Sequence, residues 1–250
     1  MLNSYNKNTG VVILAAGRGS RLNCQEMPKV MCEIGGKPIV EYTVETLEKL
    51  GLPPEQICMV VGFKKEKVKE YFDGRVSYAD QIELKGTAHA AYTGMLTLPE
   101  NVQHVLVLGG DDSAFYTPES LQMLVEKHIQ NNMALSLLSV EVEDPSLLGR
   151  VVHHPNGDIE IIEKEYVTPE QAKIKEISTG TFVFEREWFE QMFPKMPPLR
   201  KLGEYGLPTA LAIARENNLP YQIVPLGKSD EWFGVNTPEQ LEEADKRKQT

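Results

Sequence analysis

The sequence predicts an α/β fold, a three-layer sandwich in which helices cover both faces of a mixed, mainly parallel β-sheet. Short apolar runs that stop at a glycine alternate with segments of helical periodicity, as expected of strands buried on both faces and joined by crossover helices. The alternation changes between about Leu147 and Phe184, where a hairpin signal predicts a small antiparallel excursion over one side of the sheet. Such sheets bind ligands at the carboxyl ends of their strands, so functional residues are expected there.

The first predicted elements are a strand, a helix and a second strand. The two strands are the apolar runs Val11–Ala15 and Ile57–Val61, each followed closely by a glycine. The helix begins at Pro38, a residue suited to a first helical turn, and ends at Gly51. Its apolar residues repeat at helical spacing: Val40, Val44 and Leu47.

The later elements continue this pattern and then depart from it. Val105–Leu108 predicts a strand, Thr117 before Pro118 predicts the start of a helix, and Ala134–Val140 predicts the next strand. An Asn-Gly pair between two short apolar runs predicts a hairpin. The remaining predicted elements are the two hairpin strands, a later strand, two helices and a last strand: Val151–His153, Ile159–Ile162, Ile177–Phe184, Thr209–Asn217, Pro238–Lys248 and Tyr221–Val224.

Charge and composition exclude several classes of function. The 250-residue chain carries 26 Lys and Arg against 36 Asp and Glu, and its net charge of -10 repels polyanions, so neither nucleic acid nor an anionic membrane is an expected partner. The cysteines Cys24, Cys32 and Cys58 form no CxxC pair and are expected to be reduced, structural thiols. The sequence shows neither a signal peptide nor an apolar run long enough to span a bilayer, which predicts a soluble, cytoplasmic protein.

A glycine-rich turn after the first strand predicts a phosphate site. Gly17 and Gly19 allow the backbone to adopt positive φ, so that consecutive N–H groups can surround an anion. Residues 11–40 carry four basic and two acidic side chains, a local charge of +2 in a chain of -10. Two familiar phosphate motifs are absent, because Leu22 replaces the third glycine of the dinucleotide fingerprint and Pro38 interrupts a P-loop. The turn therefore predicts an anion site of another kind.

The turn belongs to a longer motif that resembles a known family. The motif reads L-A-A-G-R-G-S-R-L over Leu14–Leu22 with Pro28-Lys29 beyond it, and it resembles the signature of nucleotidyltransferases that join a sugar 1-phosphate to a nucleoside triphosphate. Within this family the chain is most similar to the pyrophosphorylase domain of bacterial N-acetylglucosamine-1-phosphate uridyltransferases, from about Val11 to Ala244. The resemblance implies a single Rossmann-like, GT-A-like domain over residues 1–250, without an acetyltransferase β-helix domain. It also implies UTP and a phosphorylated small molecule as substrates, and Mg²⁺ as the cofactor.

The resemblance assigns roles to residues that follow in the family's order and spacing. Arg18 is implied to hold the pyrophosphate end of the triphosphate, and Lys29 the transferring or acceptor phosphate. Asp111 and Asn236 are the implied Mg²⁺ ligands. The implied nucleotide-binding residues are Leu14, Ala15, Ala16, Gly17, Gly19, Ser20, Gln81, Gly86 and Thr87. The implied acceptor-binding residues are Gly149, Glu163, Ser178, Thr179, Gly180 and Glu204.

Elementary chemistry supports this site and leaves one ligand open. Mg²⁺ takes hard oxygen ligands, usually one or two carboxylates with substrate phosphates and water, so Asp111 with the Asn236 amide oxygen is a sufficient set. Asp112 could share or replace the role of Asp111. The attacking phosphate oxygen is anionic at neutral pH, so no catalytic base is expected and catalysis rests on alignment and charge neutralisation.

Departures from the family pattern surround the acceptor pocket. The family carries tyrosine where this chain has Gly109, asparagine at Ser178, and Tyr-[Leu/Ile]-Thr-Asp where Gly-Leu-Pro-Thr follows Tyr205 here. These changes leave the identity of the acceptor open. Two alternatives accompany the uridylyltransferase hypothesis: a cytidylyl- or thymidylyltransferase that acts on another phosphorylated small molecule, and a non-catalytic nucleotide-sugar sensor.

Overall fold

A seven-stranded sheet forms the centre of the computed structural model, which describes residues 7–22, 26–199 and 203–249. The strands are β1 (Thr9–Ala15), β2 (Glu33–Ile34), β3 (Lys37–Pro38), β4 (Ile57–Val61), β5 (Ser77–Asp80), β6 (His104–Gly109), β7 (Leu135–Glu141), β8 (Arg150–His153), β9 (Ile159–Ile162), β10 (Glu176–Glu185) and β11 (Tyr221–Pro225). The helices are α1 (Ile39–Lys49), α2 (Lys65–Phe72), α3 (Thr87–Met95), α4 (Pro118–Gln130), α5 (Arg186–Met192), α6 (Pro208–Glu216) and α7 (Pro238–Gln249).

The strand order across this sheet is β11-β7-β10-β6-β1-β4-β5. All neighbouring pairs are parallel except those of β10, which runs antiparallel to both β6 and β7. The predicted mixed, mainly parallel sheet is therefore confirmed. Because β1, β4 and β6 are parallel neighbours, their carboxyl ends meet at one edge of the sheet, where α/β folds place their ligands.

The antiparallel excursion is also confirmed. β8 and β9 pair antiparallel, with Arg150 opposite Ile162, and β8 lies beside β10. The Arg150 guanidinium is buried and donates to the Pro145 carbonyl at 2.6 Å, which fastens the segment that enters the hairpin. The pairing of β10 with β7 shifts register between Ser178 and Phe182, so β10 is irregular where the hairpin lies against it.

Side-chain alternation along β1 divides the core between the two faces of the sheet. Val11 and Ile13 join a cluster that includes the apolar faces of α1, α2 and α4, while Val12 joins a second cluster with α3, α5 and α6. Each large apolar side chain that is fully buried in these clusters contributes about 1.5–3 kcal/mol of transfer free energy. The predicted three-layer arrangement follows, because each face of the sheet must be covered.

Six elements were not predicted from the sequence: α2, β5, α3, α5 and the two-residue strands β2 and β3. In α2 only Val68 and Phe72 are buried, so a single pair of apolar residues marks its inner face. β5 reads Ser-Tyr-Ala-Asp and lies at the edge of the sheet, where hydrophobic patterning is weak. α3 is rich in alanine, and its small apolar residues give little periodicity.

The close packing of α3 on the sheet depends on a glycine. A Cβ atom at Gly94 would lie 2.6 Å from Val12 Cγ1 and 2.8 Å from Val60 Cγ2, and both valines are fully buried and stiff. Gly94→Ala gains about 1 kcal/mol of helix propensity. Overpacking a close-packed core costs about 1–3 kcal/mol, and the two short contacts with buried valines place this site in the upper part of that range, about 2–3 kcal/mol. We therefore expect a net loss of stability of about 1–2 kcal/mol, measured by urea unfolding.

Gly227→Ala is the matched control, because no atom lies within 4 Å of the Cβ that it would add. Its free energy of unfolding should stay within about 0.5 kcal/mol of the parent value, or rise slightly as the unfolded chain loses freedom. Equal stability of the two variants would show that α3 has room to move away from the sheet.

Two of the predicted structural thiols lie in the interior. Cys32 and Cys58 are both buried, and the Thr97 hydroxyl donates to Cys58 Sγ at 3.1 Å. Burial raises the pKa of the Cys58 thiol, which keeps it protonated and unreactive. Cys24 lies outside the described residues.

One histidine of α4 is fully buried. His128 Nδ1 lies 3.0 Å from Ser136 Oγ on β7, and that oxygen also accepts from Gln222 Nε2 at 3.0 Å. The His128 ring contacts His104 edge to face, and within the described ranges its Nε2 atom has no hydrogen-bond partner. Burial lowers the pKa of His128 to about 3, so the ring is neutral at physiological pH.

Candidate active site

The predicted site residues converge on a cavity of about 520 Å³ at the carboxyl edge of the sheet. The glycine-rich turn after β1 forms one wall, the turn after β6 forms the floor, and the β8-β9 hairpin and the irregular part of β10 form the opposite wall. The predicted residues that line this cavity are Leu14, Ala16, Gly17, Gln81, Gly86, Thr87, Asp111, Gly149, Glu163, Ser178, Gly180 and Glu204. Residues far apart in the chain are thus brought to one place.

The other predicted residues lie around or beneath this cavity. Arg18 and Ser20 are exposed on the glycine-rich turn, and the Arg18 guanidinium lies 5.7 Å from the centre of the Phe63 ring. Ala15 and Thr179 are buried, and the Thr179 hydroxyl donates to the Leu138 carbonyl at 3.3 Å. Their side chains face the interior, and their assignment to ligand binding stays a prediction.

The glycine-rich turn is fitted closely to Lys29. Gly19 has a φ of +64°, and a Cβ there would lie 2.8 Å from Lys29 Cβ, so only glycine suits the position in both conformation and space. Gly17 has open space around it. A ligand can therefore approach the backbone at Gly17, while Gly19 allows the turn to close over Lys29.

Lys29 joins the predicted catalytic and metal-binding residues in one cluster. Its ammonium group forms an ion pair with the Asp111 carboxylate and donates to Asn236 Oδ1 at 2.8 Å. The Lys29 side chain is 13% exposed and that of Asp111 27% exposed, so the pair is partly shielded from solvent, and Asp111 lines the cavity. The cation is thereby held between two oxygen ligands.

Backbone contacts hold the three members of the cluster in place. The Val235 N–H donates to the Asp111 carbonyl at 3.1 Å, which ties the segment before α7 to the turn after β6. The Asn236 N–H donates to Gln240 Oε1 at 2.7 Å, so the first turn of α7 orients this residue. The Lys29 ammonium is thus held by two segments that are themselves hydrogen-bonded to each other.

The donor set of this cluster suits Mg²⁺. Asp111 Oδ2 and Asn236 Oδ1 both contact the same ammonium nitrogen, so a cation between them is bound by two hard oxygen atoms. The described residues contain no group of three or more His, Cys, Asp and Glu side chains that could hold a metal by themselves. A site with few protein ligands is typical of Mg²⁺ that is shared with substrate phosphates.

Asp111 and Asp112, which the sequence left as alternatives, point to different places. Asp111 contacts Lys29, whereas Asp112 lies against Gly109 and Gly180. Burial raises the pKa of Asp112 well above its usual range, and the neighbouring Asp111 carboxylate adds to the effect. Asp111 is therefore the carboxylate that shares the Lys29 ammonium with Asn236, and its role as a metal ligand stays a prediction.

The segment that contains the predicted nucleotide-binding residues Gly86 and Thr87 is hydrogen-bonded to the segment before α6. The Ala88 N–H donates to the Tyr205 carbonyl at 2.8 Å, and the Tyr205 N–H donates to the Lys85 carbonyl at 2.8 Å. Gln81 is buried, and its side-chain amide lies 3.2 Å from the Gly86 carbonyl and 2.9 Å from His89 Nδ1. The amide group is oriented by these contacts, as a residue that reads a base must be.

Sequence reasoning gave no separate role to Arg21. This residue lines a second cavity of about 950 Å³ together with Asn236, which places a further cation next to the Lys29 cluster. Arg21 is a residue of the glycine-rich motif, so its place in the motif was the available signal. Within the described part of the chain, no helix is both long and apolar enough to cross a membrane.

Comparisons with known proteins identify the family of this chain. The family model described as Nucleotidyl transferase matches residues 10–250. The bifunctional protein GlmU of Symbiobacterium thermophilum is 35% identical over 239 residues, which are 94% of this chain and 50% of that protein. The bifunctional protein GlmU of Thermoanaerobacter pseudethanolicus is 35% identical over 238 residues. The chain spans about half the length of these curated relatives.

A solved structure provides the comparison of folds. A protein assigned as a glucose-1-phosphate thymidylyltransferase from Bacillus anthracis matches with a TM-score of 0.78 and 21% sequence identity, over 96% of this chain and 95% of that one. At this identity the similarity concerns the fold alone. The family model and the curated relatives confirm the membership that the glycine-rich motif predicted, and the chain belongs to the nucleotidyl transferase family.

Proposed function

We propose that the chain joins a sugar 1-phosphate to UTP and releases pyrophosphate. The observation that carries this proposal is the Lys29 cluster, in which the ammonium group, the Asp111 carboxylate and the Asn236 amide oxygen meet at the carboxyl edge of the sheet. The cluster lies next to both the glycine-rich turn and the acceptor side of the cavity. A phosphate group bound at this cluster would lie close to the triphosphate at the glycine-rich turn and to the acceptor in the cavity.

The reaction is an in-line displacement at the α-phosphorus. An oxygen of the sugar phosphate forms the new bond to this phosphorus, and the bond to the oxygen that bridges to the β-phosphorus breaks. Pyrophosphate leaves with the electron pair, so atoms and charge balance without a catalytic base. The chain's own contribution is to align the two phosphates and to neutralise their repulsion.

Lys29 and Arg18 would bind different phosphate groups of the substrates. The Lys29 ammonium, partly shielded from solvent, would contact the transferring phosphate, while the exposed Arg18 would hold the pyrophosphate end. Mg²⁺ held by Asp111 and Asn236 would supply further charge neutralisation at the phosphate oxygens. In this arrangement Lys29 exchanges its carboxylate partner for a phosphate when the substrates bind.

A thymidylyltransferase is the second candidate, because the structural neighbour from Bacillus anthracis is assigned that activity. Uracil and thymine present the same polar edge and differ by one methyl group. Gln81 and the backbone near Gly86 can therefore form hydrogen bonds with either base. The space around the methyl group of thymine decides which base binds better.

The test is a pyrophosphate-release assay with UTP, dTTP and CTP, each combined with a panel of sugar 1-phosphates and Mg²⁺. We expect the highest kcat/KM with UTP, and loss of turnover when a chelator removes the metal. A higher kcat/KM with dTTP or CTP would support the alternative transferases. Triphosphate binding without pyrophosphate release from any pair would indicate a sensor and would contradict the proposal.

A further inference from the structure

The last turn of α7 packs against two other segments of the chain. The Lys248 ammonium donates to the Ala114 carbonyl at 2.7 Å, in the turn that Asp111 begins after β6. A Cβ at Gly35, between β2 and β3, would lie 2.8 Å from Lys248 Cβ, and the Gly35 N–H donates to Asp245 Oδ1 at 2.7 Å. Lys248 therefore lies where α7 meets both the β2-β3 hairpin and the turn after β6.

Two aromatic rings enclose the same ammonium group. Lys248 Nζ lies 4.2 Å from the centre of the Tyr42 ring and 4.3 Å from the centre of the Phe115 ring, within the range of cation–π interactions. The Tyr42 hydroxyl donates to the Ile34 carbonyl at 2.8 Å, so this ring is tied to β2. Burial lowers the pKa of Lys248 to about 8, so the group has lost water but is mostly charged at pH 7. The cation thus contacts a ring from each of two segments.

The three segments that meet at Lys248 are those that carry the Lys29 cluster. Lys29 precedes the β2-β3 hairpin, and the Cys32 N–H donates to the Lys29 carbonyl at 3.1 Å. Asp111 begins the turn whose carbonyl accepts from Lys248. Asn236 lies just before the first turn of α7, and Lys248 lies in its last turn. Each member of the cluster is therefore connected, through its own segment, to a second junction at the far end of α7.

A neighbouring contact joins the segment before α7 to the turn after β6. The Phe233 and Phe115 rings meet edge to face with their centres 6.1 Å apart, and the Arg247 guanidinium lies 4.2 Å from the centre of the Phe233 ring. The Val235 N–H donates to the Asp111 carbonyl at 3.1 Å. The two segments therefore contact each other through side chains as well as through the backbone.

We propose that Lys248 is a positioning residue for the Lys29 cluster, an inference that rests on the proposed function because this cluster is where the phosphates are proposed to bind. The ammonium holds the end of α7 against the turn after β6 and the hairpin after Lys29. The backbone of a helix is hydrogen-bonded along its length, so fixing its last turn also fixes its first turn and Asn236 beside it. Without this cation α7 would tilt, and the spacing of Asn236 and Asp111 would vary.

Amide hydrogen exchange of the protein alone tests the junction. Lys248→Met keeps an unbranched apolar side chain and removes the charge and the N–H donors. We expect the Val235 amide to exchange at least about tenfold faster, which corresponds to about 1.4 kcal/mol and is the size of a partly dehydrated cation–π contact. Amides of α6, on the other face of the sheet, should stay within about threefold of the parent. Equal acceleration at both places would indicate a general loss of stability, and no acceleration at Val235 would show no coupling; either result would overturn the inference.

The proposed reaction supplies a second readout. Because alignment is affected rather than substrate binding, kcat of Lys248→Met should fall about tenfold while KM for UTP stays within about threefold. Lys248→Arg keeps a cation and N–H donors and should restore most of the kcat and the slow exchange at Val235. A parent-like kcat in Lys248→Met would overturn the positioning role.

Lys246→Met is the matched control, because Lys246 lies on the same helix and pairs with Glu242 on the surface. It should match the parent in exchange and in kcat. Should Lys248→Met not fold, Phe115→Leu removes one of the two rings and should accelerate exchange at Val235 in the same way. A parent protein that released no pyrophosphate from any pair of substrates would contradict the proposed function, while exchange at Val235 would still decide whether Lys248 fixes the cluster.

Discussion

Replacing Lys29 with alanine should lower kcat by about two to three orders of magnitude, the loss found when a preorganised charge-stabilising group is removed from a closed site. The Lys29 ammonium is the cation that both Asp111 and Asn236 contact, and it lies where the transferring phosphate is proposed to bind. Without it, only the metal and Arg18 remain to neutralise the repulsion between the two anionic substrates. The effect should appear in kcat measured by pyrophosphate release at saturating substrates.

The fold should tolerate this substitution. The Asp111 side chain is 27% exposed, so water can solvate it when the ammonium is gone, and partly exposed ion pairs contribute only about 0–1 kcal/mol to stability. Lys37→Ala is the control, because Lys37 lies on the surface, pairs with Glu45 and should leave kcat within about twofold of the parent. A Lys29→Ala protein that kept more than about a tenth of the parent kcat would remove Lys29 from the mechanism.

Acid should destabilise the protein through His128. The pKa of this buried ring is lowered to about 3 from an ordinary value of 6.5, so folding favours the neutral form. The stability that His128 contributes is complete above pH 6.5 and is lost as the pH falls toward 3. By linkage, a shift of this size removes about 3 kcal/mol between pH 7.5 and pH 4.5.

His128→Leu isolates this contribution. The leucine cannot take up a proton, and Ser136 keeps its hydrogen bond from Gln222. Urea unfolding at several pH values should show that the variant loses about 3 kcal/mol less than the parent over this range. His104, whose pKa is also lowered by burial, remains in the variant and accounts for part of the residual acid sensitivity. Parallel pH profiles for the parent and His128→Leu would refute this explanation.

The order of the main elements could be read from the sequence because each leaves a local signal. The buried strands β1, β4 and β6 are continuous apolar runs, and α1 and α4 each show an apolar face at helical spacing. α3 and β5 gave no such signal. The alanines of α3 are too small to mark an apolar face, and β5, at the edge of the sheet, is too polar to show an alternating pattern. Both became evident only where they pack on neighbouring strands.

The glycine-rich motif by itself predicted the family, and it predicts a phosphate ligand because glycines next to basic residues can surround an anion whatever lies further along the chain. Only the tertiary structure could bring Lys29, Asp111 and Asn236 to one point, since the 82 and 207 residues that separate Lys29 from the other two carry no local signal of contact. It also separated Asp111 from Asp112. Adjacent residues of a turn point in different directions, and the backbone path after β6 decides that Asp111 rather than Asp112 pairs with Lys29.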